Sequence, residues 1–260
     1  MDTMVRVAGG ELWAEDSGGD GLPLVLLHPG VGDSTLWDPV LPALAARHRV
    51  IRYDARGYGR SPAPTASYSL PRDLLAVLDH FGLERAVLVG NSTGGATSID
   101  LALTAPERVA GLALIVPAVS GYDLAGAELY RDMGRLAEAG DMEGIVRLGL
   151  SLWGRAGGGT PEADPVGAAH FRAVLPAWFA AIGYLESEPA AVDRLGEITA
   201  PTALALGELD RPVVVEFNER MAAAIPGCRL VRLTGSDHYP TLREPEAVTR
   251  LIEELYDRAS

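Results

Sequence analysis

Gly90-Asn91-Ser92-Thr93-Gly94-Gly95 is the stretch of this chain with the clearest capacity for chemistry. It follows the apolar run Ala86-Val87-Leu88-Val89 and leads into a segment with helical patterning. A strand, a sharp turn bearing a serine and then a helix make up the G-x-S-x-G nucleophile elbow. Glycine on both sides lets the backbone turn tightly without a Cβ clash. The hydroxyl is then exposed at the turn, close to a helix N-terminus whose N–H groups favour developing negative charge. Acyl transfer is the chemistry that such a serine suits.

A serine nucleophile needs a base, an acid to orient the base, and donors for an oxyanion. In an open parallel sheet these groups gather beyond the carboxyl ends of the strands. Asp210 lies in Gly207-Glu208-Leu209-Asp210-Arg211-Pro212, just after the apolar run 202–206. A carboxylate there can accept a bond from a histidine, although an Asp after a strand also suits a helix N-cap. Glu208 is its neighbour and competitor. His238 lies in Gly235-Ser236-Asp237-His238-Tyr239-Pro240, just after 229–233. A lone loop histidine is often only solvated surface, yet the other four fit the base role less well. His48 and His80 fall at helix ends, His170 in a helical insertion, and His28 at a different strand end, before the serine. Ser92, Asp210 and His238 each follow an expected strand, in the order Ser, Asp, His. The oxyanion donors expected are the N–H of Thr93 and one from the loop His28-Pro29-Gly30-Val31-Gly32. Pro29 has no N–H, so Gly30 is the first choice and Val31 the second.

The elements that would position these residues can be read in order. Residues 3–16 form two short strands around Gly9-Gly10. Residues 23–27 and 50–53 are apolar strands, with a helix over Leu36–Ala46 between them. Pro71 opens a helix over Arg72–Phe81, and Gly82 stops it. Strand 85–90 and helix 93–105 carry Ser92, and strand 111–116 follows. From 118 to 198 the alternation breaks into Ala-rich helical segments divided by Gly157-Gly158-Gly159, Pro161, Pro165, Pro176 and Pro189. It resumes with strand 201–206, helix 213–224, strand 229–233 and a helix from 245 to 258. This is an α/β pattern: a mostly parallel sheet with helices on both faces and a helical insertion acting as a cap or lid. The core would comprise 1–117 and 199–260, and the cap 118–198.

These segments together resemble the α/β-hydrolase superfamily over nearly the whole chain. The resemblance rests on the His28-Pro29-Gly30 loop, Asp54-Ala55-Arg56-Gly57-Tyr58-Gly59-Arg60-Ser61, the Gly90–Gly95 elbow, Gly207–Asp210, and the His238 loop with Glu244-Pro245. It implies an eight-stranded sheet with a helical cap between strands six and seven, Ser92 as nucleophile, Asp210 as acid, His238 as base, and Gly30 and Thr93 as oxyanion donors. His28-Pro29 replaces the usual His-Gly pair, which stiffens the loop. The Asp54–Ser61 segment is a structural turn. Serine in place of the nucleophilic Asp of dehalogenase-like members suits esters, lactones, thioesters, some amides and certain carbon–carbon bonds. Ester or lactone hydrolysis leads. Carbon–carbon hydrolysis, a non-hydrolytic lyase or cyclase, and a ligand-binding protein retaining the fold are the alternatives.

Composition narrows the partners. Of 260 residues 48% are hydrophobic, ample for a sizeable core, and 22% are charged. The balance of 22 basic against 35 acidic side chains gives a net charge of −13, which argues against nucleic acid and anionic membrane surfaces. Every basic side chain is Arg, so Schiff-base lysine chemistry is excluded. Cys228 is the single cysteine, which leaves no intramolecular disulfide. No secretory signal or apolar run of about 18 residues is visible, so a cytoplasmic enzyme without metal or organic cofactor is the expectation. Trp153, Trp178, Phe171, Phe179, Tyr122, Tyr130 and Tyr184 fall in the insertion. They either pack it onto the core or roof a pocket for a partly apolar small molecule.

Overall fold

The hairpin expected around Gly9-Gly10 forms from β1 (Asp2–Val7) and β2 (Gly10–Asp16), with Gly9 at φ +73°. The computed structural model describes residues 1–124 and 126–260, without the side chains of Ala127 and Tyr130. The apolar runs become β3 (Leu24–Leu27), β4 (Val50–Tyr53), β5 (Ala86–Asn91), β6 (Val109–Ile115) and β7 (Thr202–Gly207), buried at every residue. β8 (Arg229–Leu233) is more exposed and closes one edge. The eight strands lie in the order β1-β2-β4-β3-β5-β6-β7-β8. β1 and β2 pair antiparallel, β2 pairs antiparallel with β4, and all other pairs are parallel.

Helices cover both faces because successive strand residues point to opposite sides. Val25, Leu27, Leu88, Leu112, Leu114, Leu204 and Leu206 share one cluster with α2 (Leu70–His80), α3 (Thr93–Thr104) and α7 (Pro212–Ala224). Leu24, Leu26, Val87, Val89, Ala113, Ile115, Ala203 and Ala205 share the other with α1 (Leu41–Ala45) and α9 (Pro245–Ala259). Each fully buried Leu contributes roughly 1.5–3 kcal/mol. A one-residue register slip would move a whole strand's set to the wrong face, so the register is strongly specified.

The continuous helix expected over Leu36–Ala46 does not form. A 3-10 turn at Ser34–Trp37, capped by Asp33, is followed by the short α1. Pro39 cannot donate to a carbonyl one turn back and its ring clashes there, so the helix must restart. Pro42 is tolerated within the first turn of α1. A one-turn helix, α8 (Pro240–Arg243), follows His238, where only a loop was expected.

Between β6 and β7 the chain runs through α4 (Ala127–Glu138), α5 (Met142–Trp153) and α6 (Pro165–Ala181). Among the described residues this segment contains no strand, only an isolated bridge between Leu185 and Tyr68. Its apolar faces form a third cluster. Ile145, Val146, Leu150, Trp153, Phe171 and Leu175 pack with Val31 and Leu36 of the loop after β3 and with Tyr239 after β8. The helical segment therefore sits over the strand ends that carry Gly30 and His238. Among the described residues no helix is long and apolar enough to cross a membrane.

Candidate active site

Ser92 links β5 to α3 at φ 49° and ψ −112°. A non-glycine residue in such a sparsely populated region costs about 1–3 kcal/mol and persists only where its surroundings over-determine it. They do so here. The Ser92 N–H donates to the Ile115 carbonyl at 3.0 Å, and the Ser92 carbonyl accepts from Ala96 and Ala118, each at 3.0 Å. The left-handed turn falls on the serine itself, and the glycines serve close approach instead. A Cβ on Gly90 would lie 2.4 Å from the Gly94 carbonyl oxygen, and one on Gly94 would lie 2.3 Å from that of Leu27. α3 can therefore start hard against β3 and β5 only with these residues absent of side chains. The result is a half-buried hydroxyl above the sheet.

The tertiary structure brings the three sequence-selected groups into one chain of hydrogen bonds. Asp210, 3% exposed, accepts from His238 Nδ1 at 2.6 Å, and His238 Nε2 lies 2.9 Å from Ser92 Oγ. A carboxylate can only accept, so Nδ1 carries the imidazole proton and Nε2 offers its lone pair to the serine O–H. The other Asp210 oxygen accepts from the Arg211 N–H at 2.6 Å. Asp210 is not the N-cap of α7; that position is Arg211, with no side-chain cap bond. Glu208 points elsewhere and pairs with Arg232.

The other histidines take different places. His48 packs on Tyr256 and His80 on Phe81. His170 Nδ1 lies 3.4 Å from Thr35 Oγ1, and burial lowers its pKa. His28 is locked into the backbone. Its Nε2 accepts from the Ala55 N–H at 2.9 Å, so its Nδ1 carries the proton and donates to the Pro29 carbonyl at 2.8 Å. That bond fixes the Pro29–Gly30 peptide. A Cβ on Gly30 would lie 3.1 Å from Thr93 Oγ1, so the two residues selected as oxyanion donors stand side by side. Val31 is held by its carbonyl, which accepts from the Tyr239 hydroxyl at 3.3 Å.

Several groups around the site carry no signal in the sequence. Trp178 of α6 donates its indole N–H to the Gly30 carbonyl. Asp237, fully buried, accepts from the N–H groups of Tyr239 at 2.9 Å and Ala156 at 2.8 Å. Arg243 bridges Asp237 to Asp164, the N-cap of α6. Asp54 accepts from the backbone of Ser34 and Arg60, both at 2.9 Å, which explains the Asp54–Ser61 turn as architecture. Among the insertion aromatics, Trp153, Phe171 and Trp178 form one cluster beside His238. Tyr122 stacks on Phe217, Phe179 and Tyr184 are exposed, and the Tyr130 side chain lies outside the described residues. Trp37 belongs to the core. A cavity of about 70 Å³ borders Gly30, Thr93 and Gly94 and is walled by His28, Tyr58 and Leu185. A larger surface depression, about 470 Å³, lies at the β1–β2 hairpin and shares none of these residues.

A sheet of this topology with a strained serine at the β5–α3 link defines a class, and comparison with known proteins agrees with it. The family model for the alpha/beta hydrolase fold matches residues 23–144. "Putative carbamate hydrolase RutD" of Variovorax paradoxus is 34% identical over 251 residues, covering 91% of this chain and 92% of that protein. A shorter stretch of 126 residues is 43% identical to the "Dihydrolipoyllysine-residue acetyltransferase component of acetoin cleaving system" of Pseudomonas putida, where the match spans only 34% of the relative's length. Among solved structures, Est816, described as an N-acyl homoserine lactone degrading enzyme, superposes with a TM-score of 0.79 at 28% identity, covering 97% of this chain and 99% of its own. The chain belongs to the α/β-hydrolase superfamily and is a hydrolase of that fold.

Proposed function

We propose that this hydrolase cleaves a small-molecule carboxylic ester or lactone through an acyl-enzyme on Ser92, with Asp210 and His238 completing a catalytic triad. The observation that carries the proposal is the bond chain from Asp210 through His238 to a serine held in a strained turn. His238 Nε2 takes the Ser92 proton as Oγ attacks the carbonyl carbon. The tetrahedral oxyanion is received by the N–H groups of Gly30 and Thr93. On collapse, the proton on Nε2 passes to the departing oxygen; in a lactone that oxygen stays tethered to the acyl group. A water deprotonated by the same nitrogen then attacks the acyl-enzyme, and a second collapse releases the acid and restores Ser92. No step uses a metal or organic cofactor.

Residues 118–198 act in this reading as a cap over a core made of 1–117 and 199–260. The apolar cluster beside His238 supports a partly apolar substrate, and the likeness to a lactone-degrading enzyme supports the bond class. The test is a panel of p-nitrophenyl esters and simple lactones, run beside an active-site phosphonate. Turnover of at least one class is expected, with stoichiometric labelling at Ser92 that is lost in His238→Ala. Labelling without turnover of any ester or lactone would overturn the bond assignment and direct the search to carbon–carbon substrates. Absence of labelling would overturn the nucleophile.

A further inference from the structure

The groups of the proposed mechanism belong to the core, yet two of them are held by the helical segment between β6 and β7. At one end, the Trp178 indole N–H donates to the Gly30 carbonyl. At the other, the Trp153 carbonyl, at the close of α5, accepts the backbone N–H of His238 at 3.2 Å. The two indoles meet edge to face with centroids 5.9 Å apart. Phe171, fully buried, lies 5.3 Å from Trp178 and 5.6 Å from Trp153. One aromatic block thus touches both the oxyanion loop and the base.

We infer that Trp178 is a positioning residue, whose indole N–H sets the oxyanion loop and so makes oxyanion stabilisation depend on the seated cap. The inference rests on the serine-hydrolase reading above. Its physical basis is the freedom of the loop. Gly30 and Gly32 lack the side chains that would restrict their backbones. The Pro29 carbonyl is held by His28 and the Gly30 carbonyl by Trp178. Both peptides are trans, so each fixed carbonyl orients the N–H across its own peptide plane. His28 thereby aims the Gly30 N–H, and Trp178 prevents the next peptide from rotating and carrying Gly30 with it. Electrostatic stabilisation needs donors placed in advance at the oxyanion position, and small misplacements are costly. Mere packing of Trp178 would account for its ring contacts but would not require its N–H.

Trp178→Phe keeps an aromatic ring and removes the donor. The expected result with p-nitrophenyl acetate is a fall in kcat of about ten- to a hundredfold, with KM changed less than about twofold and a cooperative unfolding transition retained well above the assay temperature. The rate of phosphonate labelling at Ser92 should fall in parallel, because that adduct also places an oxygen in the oxyanion site. Should Trp178→Phe fail to fold, benzothienylalanine incorporated at position 178 supplies a ring of indole size without the N–H and should show the same losses. Unchanged kcat with either replacement overturns the inference and leaves Trp178 as packing. A raised KM at unchanged kcat also overturns it, making Trp178 a substrate wall. Failure of the wild-type protein to label at Ser92 would instead overturn the underlying serine-hydrolase reading.

Discussion

In the mechanism proposed above, replacing Asp210 with Asn should disable His238 as base by reversing a tautomer rather than by removing a contact. Asp210 has two fixed neighbours: the Arg211 N–H at 2.6 Å on one oxygen and His238 Nδ1 at 2.6 Å on the other. The Arg211 N–H is always a donor, so an Asn must turn its single carbonyl oxygen toward it. Its NH2 then faces Nδ1, which must accept. The imidazole proton moves to Nε2, where it points at Ser92 Oγ and cannot receive the serine proton. Working as a base would require the other tautomer, at the loss of a charge-assisted bond worth about 1.5–3 kcal/mol and with a buried donor left unmet at a further 1–3 kcal/mol. The sum is on the order of 4 kcal/mol, or about a thousandfold in kcat. The assay is steady-state hydrolysis of a p-nitrophenyl ester at slightly alkaline pH, with Asp210→Ala alongside. Alanine presents no misdirected donor, so it should be no more damaging than asparagine. Asn activity within about fivefold of wild type, or Ala clearly worse than Asn in a folded protein, would refute the tautomer reasoning.

Other consequences concern stability. Ser92→Gly should be inactive yet more stable than Ser92→Ala by about 1 kcal/mol, because glycine relieves a positive φ that alanine cannot; equal urea midpoints would show that the turn stores no strain. Asp100 is buried beside Glu188, and burial, opposed by a 2.6 Å bond from Ser120, raises its pKa from 3.8 to about 6. The folded state therefore keeps this proton longer than the unfolded chain, so the stabilisation is complete below about pH 4 and is lost as the pH rises through 6. Asp100→Asn should stabilise the protein by up to about 3 kcal/mol at pH 7, and the gain should shrink as the pH is lowered through 6 toward 4. Urea unfolding at the two ends of that range tests it, and an equal gain at both would exclude the carboxyl as its source.

What the chain itself determined is local. Strand runs such as Val87-Leu88-Val89 and Ala203-Leu204-Ala205 are legible because a doubly buried strand must be apolar throughout. As candidates, Ser92 and Asp210 are legible because each follows such a run, and His238 because it follows the half-exposed edge strand 229–233; strand ends converge on one side of a parallel sheet. The same local reading failed where neighbours compete, as at Leu36–Ala46, where apolar spacing favours a helix and Pro39 forbids its continuation. Tertiary structure decided the rest. It placed the left-handed turn on Ser92 rather than on its glycines, since its bond to the Ile115 carbonyl and those it accepts from Ala96 and Ala118 are formed only when β6 and α3 close around it. It joined Trp178 to Gly30 across 148 residues and Arg243 to Asp164 across 79. No periodicity in sequence marks such pairs. A hydrogen bond's direction depends on where two separately specified elements come to rest, and that is set by packing of the helical segment against the loops after β3 and β8.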